Sequence, residues 1–140
     1  LLESISLLGL DKTLSNLRGM FAFSLYDKKN KKIYLIRDRY GEKPLYLLNL
    51  KNGIFAFASE ISPFSFIPGF SEDLDLRAVS SYFQRGYIGA PLSIFKNVQK
   101  IMPGTKMVIS LGADRKSSIT SEDIYWSAKN VAIPVELDRS

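Results

Sequence analysis

Cysteine and histidine are both absent from this sequence. Without cysteine there is no disulfide framework, and no thiolate to bind a metal or attack a carbonyl. Without histidine the commonest acid-base and metal-binding side chain is gone too, which excludes serine-histidine-aspartate and cysteine-histidine nucleophiles and zinc sites of the usual kind. Neither G-x-x-x-x-G-K-[ST] nor G-x-G-x-x-G occurs, so no phosphate-cradling loop and no dinucleotide turn is encoded. No apolar run approaches the roughly 18 residues of a membrane span. The leading LLESISLLGL also lacks the basic stretch and small-residue cleavage site of a signal peptide. The expectation is a soluble, cytoplasmic protein without membrane contacts.

What is present suits a globular core. Of the 140 residues 46% are hydrophobic and the mean hydropathy is −0.01, which fits one ordinary domain or a piece of a larger one. The chain begins at Leu1 where an initiator codon would give methionine, and the expectation is a fragment. Glu72, Asp73 and Asp75 lack the Asp-x-Asp-x-Asp-Gly spacing that wraps calcium; helix capping explains them, and no metal site is assigned. The net charge of +5 and the cluster Lys28, Lys29, Lys31 and Lys32 raise the question of nucleic acid. Those lysines fall at a predicted hairpin tip, where solvated charge keeps a turn soluble, and no nucleic-acid partner is expected. Phe21, Phe23, Phe55 and Phe57 alternate within strands as core residues do.

Along the chain, Leu1, Ile5 and Leu8 share a helical face with Leu2 beside it, and Gly9 is a C-terminal stop, predicting the last turns of an amphipathic helix. Asp11 to Asn16 offer a second short turn. In MFAFSLYD the residues Phe21, Phe23 and Leu25 alternate with Ala22, Ser24 and Tyr26, and KIYLIRDR resumes the pattern after DKKNKK. This predicts an antiparallel hairpin whose turn is held at Asp27 and Asn30. YLLNL, a turn at Lys51-Asn52-Gly53, and IFAFAS predict a second hairpin by the same logic. Both faces of IYLI are apolar, so layers must lie above and below the sheet. Glu60 to Phe66 reads as a short helix or turn interrupted by Pro63 and ended by Pro68-Gly69. Asp73 or Asp75 caps the helix LRAVSSYFQRGY, whose Leu76, Val79, Tyr82 and Phe83 share one face. IGAPLSIF and VQKIMPG read as irregular, TKMVIS as a strand, GADRKSSITSED as a polar loop, and IYWSAKNVAIPVELDRS as a linker.

The segment IRDRYGEKPLYL sets alternating charges, a glycine, a lysine and a proline between two apolar runs. In extended geometry Arg37 and Arg39 point to one face and Asp38 to the other, while Gly41 permits a positive φ and Pro44 fixes the entry to the next strand. If the corner is buried, each charge needs a partner or a function.

LRGMFAFSLYDKKNKKIYLIRDRYGEKPLYL, followed by IFAFASEI, resembles the later half of the class II glutamine amidotransferase domain, specifically that of glutamine-hydrolysing asparagine synthetases. The family pattern is close to G-M-F-A-F, a basic hairpin, R-D-x-x-G-x-K-P-L-Y and A-S-E. LDLRAVSSYFQRGYIGAPLSIFKNVQKIMPGTKMVIS and the late IYW look like that family's connection towards its synthetase domain, so the resemblance covers nearly the whole chain. Gly89 and Met102 stand where a proline is common, and Glu42 replaces a usual apolar residue.

The resemblance implies an α+β fold: part of an αββα N-terminal-nucleophile sandwich of antiparallel sheets, truncated at its N-terminus. Residues 1–110 are then the C-terminal part of the amidotransferase domain, and 111–140 a linker towards a synthetase domain. In such enzymes an N-terminal cysteine, with its own α-amino group as base, attacks the glutamine side-chain amide and releases ammonia through a thioester. The ammonia then meets aspartate activated by ATP as an acyl-adenylate. The nucleophile, the arginine for the glutamine carboxylate, the Asn-Gly oxyanion element and the aspartate near the substrate amino group are expected upstream of Leu1. The pyrophosphate loop is expected downstream of Ser140.

The resemblance therefore assigns no catalytic, substrate-binding or metal residue here and no cofactor, since ATP and magnesium belong to the synthetase domain. Arg37, Asp38, Arg39, Gly41, Lys43 and Pro44 fall in the first motif, and Ala58, Ser59 and Glu60 in the second. They are expected to shape the sheet corner and the face turned towards the synthetase domain. The implied partners are the remaining parts of the same polypeptide, with glutamine, aspartate and ATP for the whole enzyme, and a homodimer is an allowed assembly. Alone, such a chain should be inactive, and its open sheet edges should favour association. Two alternatives are a related amidotransferase with a sugar or antibiotic precursor as acceptor, and a non-catalytic protein that reuses the scaffold for binding.

Overall fold

The computed structural model describes residues 1–51, 53–112 and 117–132. Two short helices open the chain, α1 (Leu2–Leu8) and α2 (Leu10–Asn16), joined at Gly9, whose φ of 80° makes the turn between them. Two antiparallel sheets follow. The first has the order β1-β2-β6-β7, from β1 (Ala22–Asp27), β2 (Lys32–Arg37), β6 (Thr105–Leu111) and β7 (Ser117–Ile124). The second has the order β4-β3-β5, from β3 (Tyr46–Asn49), β4 (Phe55–Ala58) and β5 (Val98–Lys100). A 3-10 turn (Ser62–Phe66), α3 (Leu76–Arg85) and α4 (Ala128–Val131) complete the elements. The fold is thus α+β with antiparallel sheets.

Alternation of apolar residues places the layers. Leu35, Met107 and Ile109 of the first sheet meet Leu47 of the second in one buried cluster with Leu45 and Ile101, so the sheets pack face to face. One residue on from Leu47, Leu48 points the other way, into a cluster with Leu50, Phe64 and Val98 that the 3-10 turn covers. On the outer face of the first sheet Ile36 and Val108 are buried. Lys106, two residues from Val108 and so on its side, reaches Asp11 of α2 at 2.5 Å. Apolar residues on both strand faces do correspond to cover on both sides.

Local chemistry explains the connections. The β1–β2 hairpin runs to the pair Asp27 and Lys32, and Asp27 accepts hydrogen bonds from the Asn30 amide (3.0 Å) and its Nδ2 (2.7 Å). The four lysines stand at or beside this tip. Asp75, not Asp73, caps α3 by accepting from the Arg77 amide at 2.9 Å, and Arg77 holds its carboxyl down at about 2.

Several elements differ from the sequence reading. Part of VQKIMPG is strand: β5 is three residues long, too short to show a period. The stretch SSITSED, read as loop, lies in β7, which pairs along β6 with a register shift at Val108/Ile109. As an edge strand exposed along most of its length, it carries no apolar alternation to detect. Tyr125 and Trp126, in the stretch IYWSAKNVAIPVELDRS read as linker, return to the fold, while residues 113–116 and 133–140, like Asn52 of the second turn, lie outside the described residues. On α3, Ala78 is the buried residue; Leu76 and Phe83, on the apolar face read from the sequence, are 75% and 82% exposed. Among the described residues no helix is long and apolar enough to cross a membrane.

Leu47→Ala, between the sheets, is expected to cost about 2–5 kcal/mol of stability. Leu76→Ala, on the exposed face of α3, should change it by less than about 0.5 kcal/mol. Denaturant unfolding measures both.

Candidate functional site

The end of β2 gathers most of the polar residues that the sequence singles out. Arg37 is the last residue of the strand, and the chain turns at once, with the Gly41 amide bonded back to the Asp38 carbonyl at 3.1 Å. The extended alternation expected for Arg37, Asp38 and Arg39 therefore stops at Arg37.

Arg37 is 9% exposed, and its guanidinium donates to three carbonyls: Nε to Lys43 (2.8 Å), one terminal nitrogen to Gly41 (2.7 Å) and the other to Ile101 (2.6 Å). Asp38, 1% exposed, is its counterpart among donors. Oδ1 accepts from the amides of Tyr40 (3.1 Å) and Glu42 (3.0 Å), and Oδ2 from that of Lys43 (2.9 Å). The backbone of Asp38 extends the net, its amide donating to Phe21 at 2.8 Å and its carbonyl accepting from Gly104 at 2.8 Å. One buried residue thus ties the start of β1, the loop 38–43 and the turn before β6 together. The two charges find partners, as burial demands, but the partners are backbone groups: among the described residues neither forms an ion pair.

These surroundings set the ionisation. Burial pulls the Arg37 guanidinium below its ordinary value, while the Asp38 charge pulls it back up. Burial pushes the Asp38 carboxyl up, yet hydrogen bonds from the backbone of Lys43, Glu42, Tyr40 and Phe21 outweigh it and hold the group below the usual carboxylate value. Burial raises Tyr125 to about 12, and the Asp38 charge adds to the rise. Its hydroxyl stays protonated and donates to the Arg37 carbonyl at 2.7 Å.

Gly41 has φ 68°, and a Cβ there would lie 2.8 Å from Pro103 Cγ and 3.0 Å from Arg37 Cζ, so a side chain would expel the guanidinium from its seat. At Gly104 a Cβ would lie 2.3 Å from the Trp126 carbonyl oxygen. The absence of a side chain at Gly41 lets the loop 38–43 close on Arg37, and at Gly104 it lets the chain at Trp126 close on the turn before β6.

The other expected residues divide. Arg39 leaves the corner: it donates to the Ser15 carbonyl at 2.9 Å and lies over the Trp126 ring at 5.8 Å, which Tyr40 meets edge-on at 5.0 Å. Lys43, Pro44 and Ser59 line an open cleft of about 550 Å³ with Met20, Phe21 and Ala22, so the two motifs meet along its wall. Glu60 is exposed past the end of β4. Ile101, Gly104 and Tyr125 escaped the reading as corner residues. Pro103-Gly104 was a visible turn signal, but its closeness to Arg37 depends on strand order, and Tyr125 stood in a stretch read as linker. Lys100, whose charge faces Arg37, is pulled below its ordinary value by burial and then by that like charge, and its Nζ donates to the Ile88 carbonyl.

A family model described as a glutamine amidotransferase domain matches residues 1–126. Mouse asparagine synthetase [glutamine-hydrolyzing] is 37% identical over 117 residues, covering 69% of this chain and 21% of that protein. The putative asparagine synthetase [glutamine-hydrolyzing] 2 of Methanocaldococcus jannaschii is 34% identical over 113 residues, covering 79% and 22%. Asparagine synthetase [glutamine-hydrolyzing] 2 of Bacillus subtilis is 29% identical over 120 residues, covering 82% and 15%. The chain thus spans 15–22% of the length of these curated relatives.

Asp38→Ala should cost about 3–5 kcal/mol, because three amides lose their acceptor in a buried corner. Asp38→Asn keeps one acceptor oxygen and should cost less. A folded pKa below the ordinary 3.8 means that the stability due to Asp38 is complete above that value and lost as pH falls through the lowered one. Acid unfolding should therefore be steeper in the native protein than in Asp38→Asn; parallel acid limbs would refute the assignment.

Proposed function

We propose that the chain, which belongs to the glutamine amidotransferase domain family, is the later half of the amidotransferase domain of a glutamine-dependent asparagine synthetase. In this reading it is part of an N-terminal-nucleophile sandwich and serves as scaffold. The observation that carries it is the match of residues 1–126 to the amidotransferase family together with relatives named asparagine synthetase.

The chain's own residues limit its part in the reaction. It contains no cysteine, so the thiol that attacks glutamine must come from elsewhere in the enzyme. ATP and magnesium do not fit this segment either: it has no phosphate-cradling loop, and among the described residues no group of three or more carboxylates is gathered for a metal. They belong to the synthetase part, as do aspartate and the choice of acceptor. Arg37, Asp38 and Gly41 hold the corner from which Lys43, Pro44 and Ser59 present the cleft wall, and that face is turned towards the synthetase part. Arg39 and Glu60 flank it. A cytoplasmic setting and possession of both domains on one polypeptide complete the proposal.

The test compares the chain with the complete polypeptide that carries it. The 140-residue chain alone should release no ammonia from glutamine, while the complete polypeptide should release it and, with ATP, magnesium and aspartate, form asparagine. Glutamine hydrolysis by the chain alone would overturn the scaffold role; hydrolysis by the complete polypeptide without asparagine formation would favour another acceptor.

A further inference from the structure

Two basic side chains join α2 to the chain that leaves β7. Arg39 donates to the Ser15 carbonyl at 2.9 Å and lies over the Trp126 ring at 5.8 Å. Ser15 stands in the last turn of α2, where carbonyls lack partners inside the helix and a cation meets the negative end of its dipole. Lys106 reaches Asp11 of the same helix at 2.5 Å and Asp123, near the end of β7, at 3.7 Å. Among the described residues no hydrogen bond or ion pair runs directly from α2 to Tyr125 or Trp126. The polar link between them therefore passes through the two cations.

This link is built differently from the corner beside it. Each nitrogen of the Arg37 guanidinium and each oxygen of the Asp38 carboxylate has a backbone partner. Arg39 is not completed in this way: its Nε is buried without a hydrogen-bond partner among the described residues, it forms no ion pair there, and its hold on Trp126 is the attraction of a cation for a ring. Tyr40, which meets the same ring edge-on at 5.0 Å, is itself 71% exposed. Parting Arg39 from Trp126 would hydrate an N–H that now lacks a partner, which offsets some of the attraction lost. Parting the corner would leave two buried charges bare. A fixed corner thus adjoins a contact that can release.

We propose that Arg39 and Lys106 form a releasable strap through which α2 and the chain leaving β7 sense each other. With Trp126 seated, Arg39 is held against the end of α2; with Trp126 withdrawn, Arg39 loses its platform and the last turn of α2 loosens, while the corner stays closed. A pull on the chain beyond β7 reaches α2 by this route. The proposal does not rest on the amidotransferase reading.

Native-state hydrogen exchange of the complete polypeptide, read peptide by peptide, tests it. Trp126→Leu should speed exchange of the amides from Thr13 to Leu17 about two- to fivefold, the factor that a partly exposed cation–π contact is worth, and leave the β3–β4 hairpin unchanged. Adding Lys106→Met, which cuts the second half of the strap, should speed it further. Coupling is reciprocal, so Ser15→Gly in α2 should speed exchange in the peptide that carries Trp126. Trp126→Phe offers a weaker ring face and should give a smaller rise of the same kind; it decides the matter if Trp126→Leu folds poorly. Unchanged exchange of α2 in the Trp126 variants, a rise spread evenly over the fold, or a response in one direction only would each overturn the proposal. Exchange is read whether or not the polypeptide hydrolyses glutamine, so the fall of the amidotransferase reading would leave this test intact.

Discussion

Asp38 is buried at the end of β2, and its charge is met by three backbone amides where an opposite charge would be the simplest partner. A full charge in a low-dielectric corner is tolerable only if its lone pairs are filled and the donors cannot turn away. Amides from one short loop satisfy both conditions, because the loop cannot change conformation without losing all three at once. Arg37 inverts the arrangement, collecting carbonyls from Lys43, Gly41 and Ile101 around a cation. Each residue organises the backbone around itself, and the two sheets are joined where those loops meet.

This explains the glycines. With the guanidinium occupying the space beside loop 38–43, the chain must pass within contact of it at Gly41, and φ of 68° completes the turn. Gly104 instead makes room for the Trp126 backbone in the turn before β6, and its carbonyl accepts from the amides of Tyr125 and Trp126 at 2.9 and 3.3 Å. The chain after β7 is thereby drawn onto the corner, and the Tyr125 hydroxyl closes it from above by bonding to Arg37.

The sequence made the hairpins legible because their information is local: alternating apolar residues, an Asp-Asn turn and a Gly turn lie within a few residues of each other. It also announced a polar corner, since three charges between apolar runs demand an explanation wherever they are buried. What it withheld was non-local. The expectation that Arg37 and Arg39 share a face assumed extended backbone, whereas the Asp38 carboxylate captures the amides just ahead of it and bends the chain. Ile101 lies 64 residues from Arg37 in sequence, and its part in the corner follows only from the packing of both sheets. β7 hid for a different reason: an edge strand with little burial has no need of the apolar period by which strands are recognised.

The residues that carry the family likeness at this corner are therefore residues of construction. In R-D-x-x-G-x-K-P the arginine and aspartate shape backbone, the glycine makes room, and the lysine contributes its amide and carbonyl to the two charges while its side chain stays at the cleft. A reaction signature would consist of groups whose ionisation suits proton transfer or attack near neutral pH. Here the ionisable groups are driven the opposite way, with Asp38 held anionic and Tyr125 held protonated up to about 12. A motif of this kind is tied to the fold, because Arg37, Asp38 and Gly41 each hold the same corner in place. For the same reason it says little about any ligand, whose recognition requires free groups, because the charges of Arg37 and Asp38 are already spent on the backbone.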